Sequence, residues 1–97
     1  MPTEPLKHKL GNGKTAKFTR RRISKDDWGE SDGNGNIGIS SKIKIGTRRE
    51  LEIYLHELIH EECPYMKESD VKRLAQSQAM LLWKLGWRIV AQKAKRK

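Results

Sequence analysis

Between residues 37 and 45 the chain alternates: Ile37, Ile39, Ile43 and Ile45 hold odd positions, while Gly38, Ser40, Lys42 and Lys44 hold even ones. Period-two alternation predicts a strand with one face on a core and one in water, ended by Gly46. The period then changes. Leu51, Tyr54, Leu55, Leu58 and Ile59 recur at helical spacing and predict a helix with a buried apolar stripe. Thr47 and Glu50 form a capping box at its start, and Pro64 disfavours helical geometry at Cys63, so the helix stops there. A second helix is expected to begin at Glu68–Asp70, where carboxylates suit the positive end of the helix dipole. Its inward stripe is Val71, Leu74, Ala75, Gln78, Leu82, Leu85 and Ile89. Trp83 and Trp87, four apart, are expected to stack along one side as core or core-rim residues, with Gly86 a small cost inside the helix.

Upstream the pattern is weaker. Residues 16–23 read as a strand with a heavily basic face, carrying Arg20, Arg21 and Arg22. Residues 29–36, with Asp32-Gly33 and Asn34-Gly35, read as a turn in which Asp32 is a turn-forming residue. Residues 1–15, with Pro2, Pro5, Gly11 and Gly13, read as a flexible lead-in with room for one short strand. The expected fold class is α+β: a small antiparallel sheet of two to three strands packed on two helices, in a single domain over residues 16–97.

Composition adds three constraints. A chain of 97 residues makes one small domain with a modest core. Its formal charge of +9 favours anionic partners, nucleic acid among them; the candidate contacts are Arg20–Arg22, Lys42, Lys44 and the basic tail Lys93–Lys97. The single cysteine, Cys63, excludes an internal disulfide and a paired-cysteine metal site, fits a reducing compartment, and is expected to be a small buried side chain. Met1 to Lys9 lacks the apolar core of a secretion signal, and the apolar runs are too short to span a bilayer. The expectation is a soluble, cytoplasmic protein.

The chemistry concentrates in His56-Glu57-Leu58-Ile59-His60. Residues four apart share one helix face, so both imidazoles can reach one metal ion, with Glu57 beside them as general base. Leu58 and Ile59 point to the core, leaving the histidines on a different face. Zinc lowers the pKa of a bound water to about 7, and a catalytic zinc takes three protein ligands and keeps one position open. His8 lies in the loose lead-in and reads as a surface residue. The chain reverses at Cys63-Pro64-Tyr65, which brings the start of the second helix back towards His60. Glu68 is the preferred third ligand and Asp70 the alternative, both within that first turn. Glu61 and Glu62 follow His60 too closely to fold back on the same ion and are expected to be solvated. Tyr65 is a candidate hydrogen-bond donor to a developing oxyanion. If the Ile-rich strand is the sheet edge beside the motif helix, its backbone can pair with an extended peptide, and Lys42 and Lys44 would guard that edge against aggregation.

A basic strand, a Gly/Asp turn, an Ile-rich strand, Leu-Glu-Ile-Tyr-Leu-His-Glu-Leu-Ile-His, Glu68-Ser-Asp-Val and Leu82-Trp-Lys-Leu-Gly-Trp87 follow in order. Over about residues 16–90 the chain resembles a group of very small zincin-like proteins of phage and bacterial genomes, described from sequence as metallopeptidases and similar to minimal gluzincins. The resemblance implies zinc on His56 and His60, Glu57 as base and Glu68 as third ligand. Two departures stand out: Ser69 occupies a position where a second acidic residue is common, and no Glu follows Asp70 where longer gluzincins place their ligand.

The reading is a zinc-dependent metallopeptidase acting on a peptide or protein substrate. The alternatives are a basic nucleic-acid-binding module with structural or vestigial zinc, or a SprT-like protease acting on DNA-bound proteins.

Overall fold

The computed structural model describes residues 6–23 and 27–89. Residues 1–5, 24–26 and the Lys93–Lys97 tail lie outside the described residues. The order is β1 (Leu6–Lys9), β2 (Thr15–Arg21), β3 (Gly29–Ser31), β4 (Asn36–Ser40), α1 (Arg48–Glu62) and α2 (Glu68–Lys84). The class is α+β, as the alternation of periods predicts.

The sheet is larger than expected and mixed. Its spatial order is β1-β2-β4-β3. The lead-in supplies β1, antiparallel to β2 with Leu6 opposite Phe18. β2 and β4 run parallel, with Phe18 opposite Ile37 and Arg20 opposite Ile39. β3 pairs antiparallel with β4 on the other side, Gly29 opposite Ile39 and Ser31 opposite Ile37. The Ile-rich strand is therefore central, and the strand nearest the motif helix is β3, a segment expected to be loop. It is also shorter than its alternation suggests, because after Ser40 the chain turns and Ile43 N–H donates to the Ser40 carbonyl. Ile43 still reaches the core, while Ile45 is exposed and Lys42 and Lys44 leave the sheet.

The core gathers Leu10, Ala16, Phe18, Ile37, Ile39 and Ile43 under Ile53, Tyr54 and Leu58 of α1. Phe18 and Tyr54 meet with ring centroids 5.2 Å apart. Each fully buried Ile contributes roughly 1.5–3 kcal/mol. After the exposed Asn36, β4 is buried on both faces: Arg21 lies across Gly38, where a Cβ would sit 2.8 Å from its Cζ, and reaches Glu30 in an ion pair.

Helix α1 begins at Thr47, whose Oγ accepts from Glu50 N–H at 3.2 Å. The reciprocal half of the box differs. The Glu50 carboxylate accepts from Gly46 N–H at 2.8 Å and pairs with Arg20 at 2.7 Å, whose other nitrogen donates to the Ile43 carbonyl. The apolar stripe Leu51, Tyr54, Leu55, Leu58 and Ile59 is only half-buried. The buried positions of α1 are Glu50, Glu57 and Glu61. On α2 the buried positions are Val71, Ala75 and Ala79.

Gly86 is a stop rather than an interruption. Its φ is +96°, its N–H donates to the Trp83 carbonyl and Trp87 N–H donates to that of Leu82, which is a Schellman termination. Leu85 and Trp87 consequently fall outside the helix and are exposed, and Gln78 is exposed on α2. Trp83 carries Arg88 on its face rather than Trp87. No helix among the described residues is long and apolar enough to cross a membrane.

Candidate metal centre

The second helix returns along the first, as the reversal at Pro64 requires, and brings Glu68 over His56 and His60. Glu68 Oε2 lies 3.0 Å from His56 Nε2, and Glu68 Oε1 lies 2.9 Å from His60 Nε2. The imidazole centroids are 4.9 Å apart with planes inclined at 60°. One ligand atom from each of the three residues lies within 4.8 Å of the others. The group can hold a metal ion, and the donors, two imidazole nitrogens and a carboxylate oxygen, suit a divalent transition metal. The chain separation is long enough for Glu68 to arrive from a different helix, so the site links α1 to α2.

Asp70, the alternative ligand, faces Arg73 instead, at 3.4 Å. His8 is exposed on β1. Tyr65 is 99% exposed and is not among the residues lining the cleft, so the chain reversal does not bring it to the histidines. Cys63 is exposed rather than buried. It is the C-cap of α1 and its backbone N–H donates to Ile59, which holds it at the outside of the turn.

The histidines open onto a cleft of about 600 Å³ between α1 and β3, lined among others by Asp27, Trp28, Gly29, Glu57, Pro64 and Glu68. Glu57 is 7% exposed, packed against β3 with part of its side chain on the cleft. Burial, and after it the negative charge of Glu68, raises its carboxyl to about 7, with smaller contributions from Glu30, Asp27 and Glu61. A cation held by His56, His60 and Glu68 would offset the Glu68 contribution and favour the carboxylate.

Glu61 is the residue that the sequence reading missed. It is fully buried, not solvated. Its carboxylate accepts from Gly33 N–H at 3.0 Å, Gly35 N–H at 3.1 Å and Lys14 Nζ at 3.1 Å, and from the Ser31 hydroxyl. Burial pushes its pKa up, but the bonds from Ser31 and Lys14 and the Lys14 charge outweigh this and hold it below the usual carboxylate value. Glu62, also expected in solvent, is half-buried and accepts from Gly11 N–H at 3.1 Å. A signal was present: Glu50, Glu57 and Glu61 stand at i, i+7 and i+11, a helical stripe of its own. Asp32 plays the expected turn role, accepting from the backbone of Asn34 and Asn36 and the Asn36 amide, bonds that lower its pKa.

These features define an α+β domain with a His-His-Glu cluster at the mouth of a cleft. Comparison of the chain with protein-family models, with curated proteins and with solved structures finds no match.

Proposed function

We propose that this chain is a zinc-dependent hydrolase cleaving peptide bonds, of the small zincin-like kind that its sequence resembles. The observation that carries the reading is the Glu68 carboxylate set across both imidazoles of an HExxH helix from the start of α2, with Glu57 on the cleft they share. Two nitrogens and one oxygen are a ligand set of catalytic zinc sites, which keep a further position for water or substrate. When bound, zinc supplies a Lewis acid for the scissile carbonyl and for the attacking water. Glu57, on the shared cleft, would be the group to take a proton from an attacking water and return it to the leaving amine.

The substrate backbone has a natural track. β3 is an edge strand, paired with β4 on one side and with no strand on its outer side among the described residues. An extended peptide adding to that edge would lie in the cleft, a role that falls to β3 because β4 is interior. The nucleic-acid reading draws less support. Arg20 is committed to Glu50 and Arg21 to Glu30, so two of the three arginines Arg20–Arg22 are already paired, and Lys42 and Lys44 have left the sheet.

The test is metal analysis of the purified protein with peptidase assays alongside. Wild type is expected to hold about one equivalent of zinc, and His56→Ala and Glu68→Ala to lose it. Glu57→Gln should keep the metal and lose about 10²-fold or more in turnover, the scale of general-base catalysis. Zinc retained in His56→Ala would end the assignment, and unchanged turnover in Glu57→Gln would remove the base.

A further inference from the structure

Gly29 is a glycine that its own backbone does not require. It lies in β3 and is absent from the residues with positive φ. Space is what requires it: a Cβ there would lie 3.0 Å from Glu57 Cγ, 3.0 Å from Glu57 Oε2 and 3.0 Å from Ile53 Cγ2. Those separations are tighter than ordinary van der Waals contact, so any side chain at this position would press directly on the candidate base.

The neighbouring contact has the same geometry. Ile53, Glu57 and Glu61 stand four residues apart on one face of α1. Gly29 and Ser31 stand two apart on β3 and so point to the same side. Four residues of helix rise about 6 Å, and two residues of strand about 6.6 Å. The two repeats nearly match, so Glu57 meets Gly29 while Glu61 accepts the Ser31 hydroxyl. Glu61 then continues past the end of β3 to the backbone of Gly33 and Gly35. Being fully buried, this carboxylate has no solvent to fall back on and cannot exchange these donors cheaply.

We propose that Gly29 and Glu61 are positioning residues for Glu57: Glu61 registers β3 on the motif helix, and the absent side chain at Gly29 leaves the Glu57 carboxylate its place between strand and helix. The catalytic consequence rests on the reading of Glu57 as general base; the contact itself does not.

Two measurements keep these apart. In metal-free protein, thermal unfolding is compared for wild type, Gly29→Ala, Glu57→Ala and the double variant. Gly29→Ala should lower Tm in wild type and lower it clearly less in the Glu57→Ala background, where the two Glu57 atoms are gone and only Ile53 Cγ2 still meets the new methyl group. The same loss in both backgrounds overturns the proposal. In zinc-loaded protein, Gly29→Ala should cut kcat about tenfold or more with zinc content and KM unchanged, and should add nothing to Glu57→Gln. A loss that appears in KM or in metal content instead, or that adds in full to Glu57→Gln, overturns it as well. For Glu61, Ser31→Ala is the mild variant and Glu61→Gln the conservative one. Both should retain fold and zinc while Gly33 and Gly35 amide exchange accelerates and kcat drops, less in Glu61→Gln than in Glu61→Ala. Unchanged kcat with exchange accelerated overturns the role of Glu61. If wild type cleaves no peptide, the hydrolase reading fails, and the unfolding cycle still decides whether Gly29 sets the place of Glu57.

Discussion

Three buried glutamates stand on one helix, and what surrounds each carboxylate sets what it does. Glu50 is matched by Arg20 and a backbone N–H, Glu61 by four donors, and Glu57 by none of comparable strength among the described residues, which is why burial raises its pKa while the bonds to Glu61 lower that one. Removing one partner of a buried charge pair leaves the other uncompensated, so Glu50→Ala is expected to cost about 3 kcal/mol in urea unfolding. The pH dependence follows from Glu61. A carboxylate whose folded pKa is depressed stabilises the fold above its unfolded value, and the contribution is lost as pH falls through the folded value. Stability should therefore decline on the acid side, below about pH 4, where an unperturbed carboxyl titrates. Glu61→Gln should start lower at neutral pH and lose less on acidification, as read by denaturant midpoints against pH; equal acid slopes would contradict this.

The secondary-structure elements were legible wherever a local signal was sufficient. Thr47 and Pro64 set the ends of α1, and the carboxylates of Glu68 and Asp70 marked the start of α2. The far end of α2 was misread because a glycine inside an apolar periodicity has the same spelling whether it weakens a helix or ends it. Its positive φ, not its neighbours in sequence, decides. Gly86→Ala is accordingly expected to destabilise by about 1 kcal/mol, measured by thermal unfolding, whereas in a continuous helix the same change would stabilise by a similar amount. β3 was missed for a related reason. Three residues carry too little alternation to be read, and the strand exists because β4 offers an edge and α1 a surface.

The candidate ligands link α1 to α2, whose buried positions are Val71, Ala75 and Ala79. A domain of this size has little core in reserve, so a metal bound by the folded state alone should stabilise it by mass action: about 2.7 kcal/mol at a free metal concentration a hundred times Kd. Thermal melts should shift upward with added zinc and downward with a chelator in wild type, and show neither shift in His56→Ala. A melting temperature indifferent to zinc in wild type would argue against a bound ion. The link also joins the cleft to the fold: β3 rests on α1 through Glu57 and Glu61, and α1 meets α2 through Glu68.

The amino-acid order alone was enough to place His56 and His60 on one helix face, to bring Glu68 to them in a group that could hold a metal ion and to assign the α+β class, because each depends on spacing within a few residues or on a short reversal. It was not enough to show that the Ile-rich strand is interior, that Glu61 is buried, that Cys63 and Tyr65 face solvent, or that Gly29 lies against Glu57. Those follow from contacts between residues far apart in the chain, such as Ser31 with Glu61, Arg20 with Glu50 and Lys14 with Glu61, 47 positions apart. A carboxylate is spelled the same whether water or four protein donors surround it, and only the packed chain decides which.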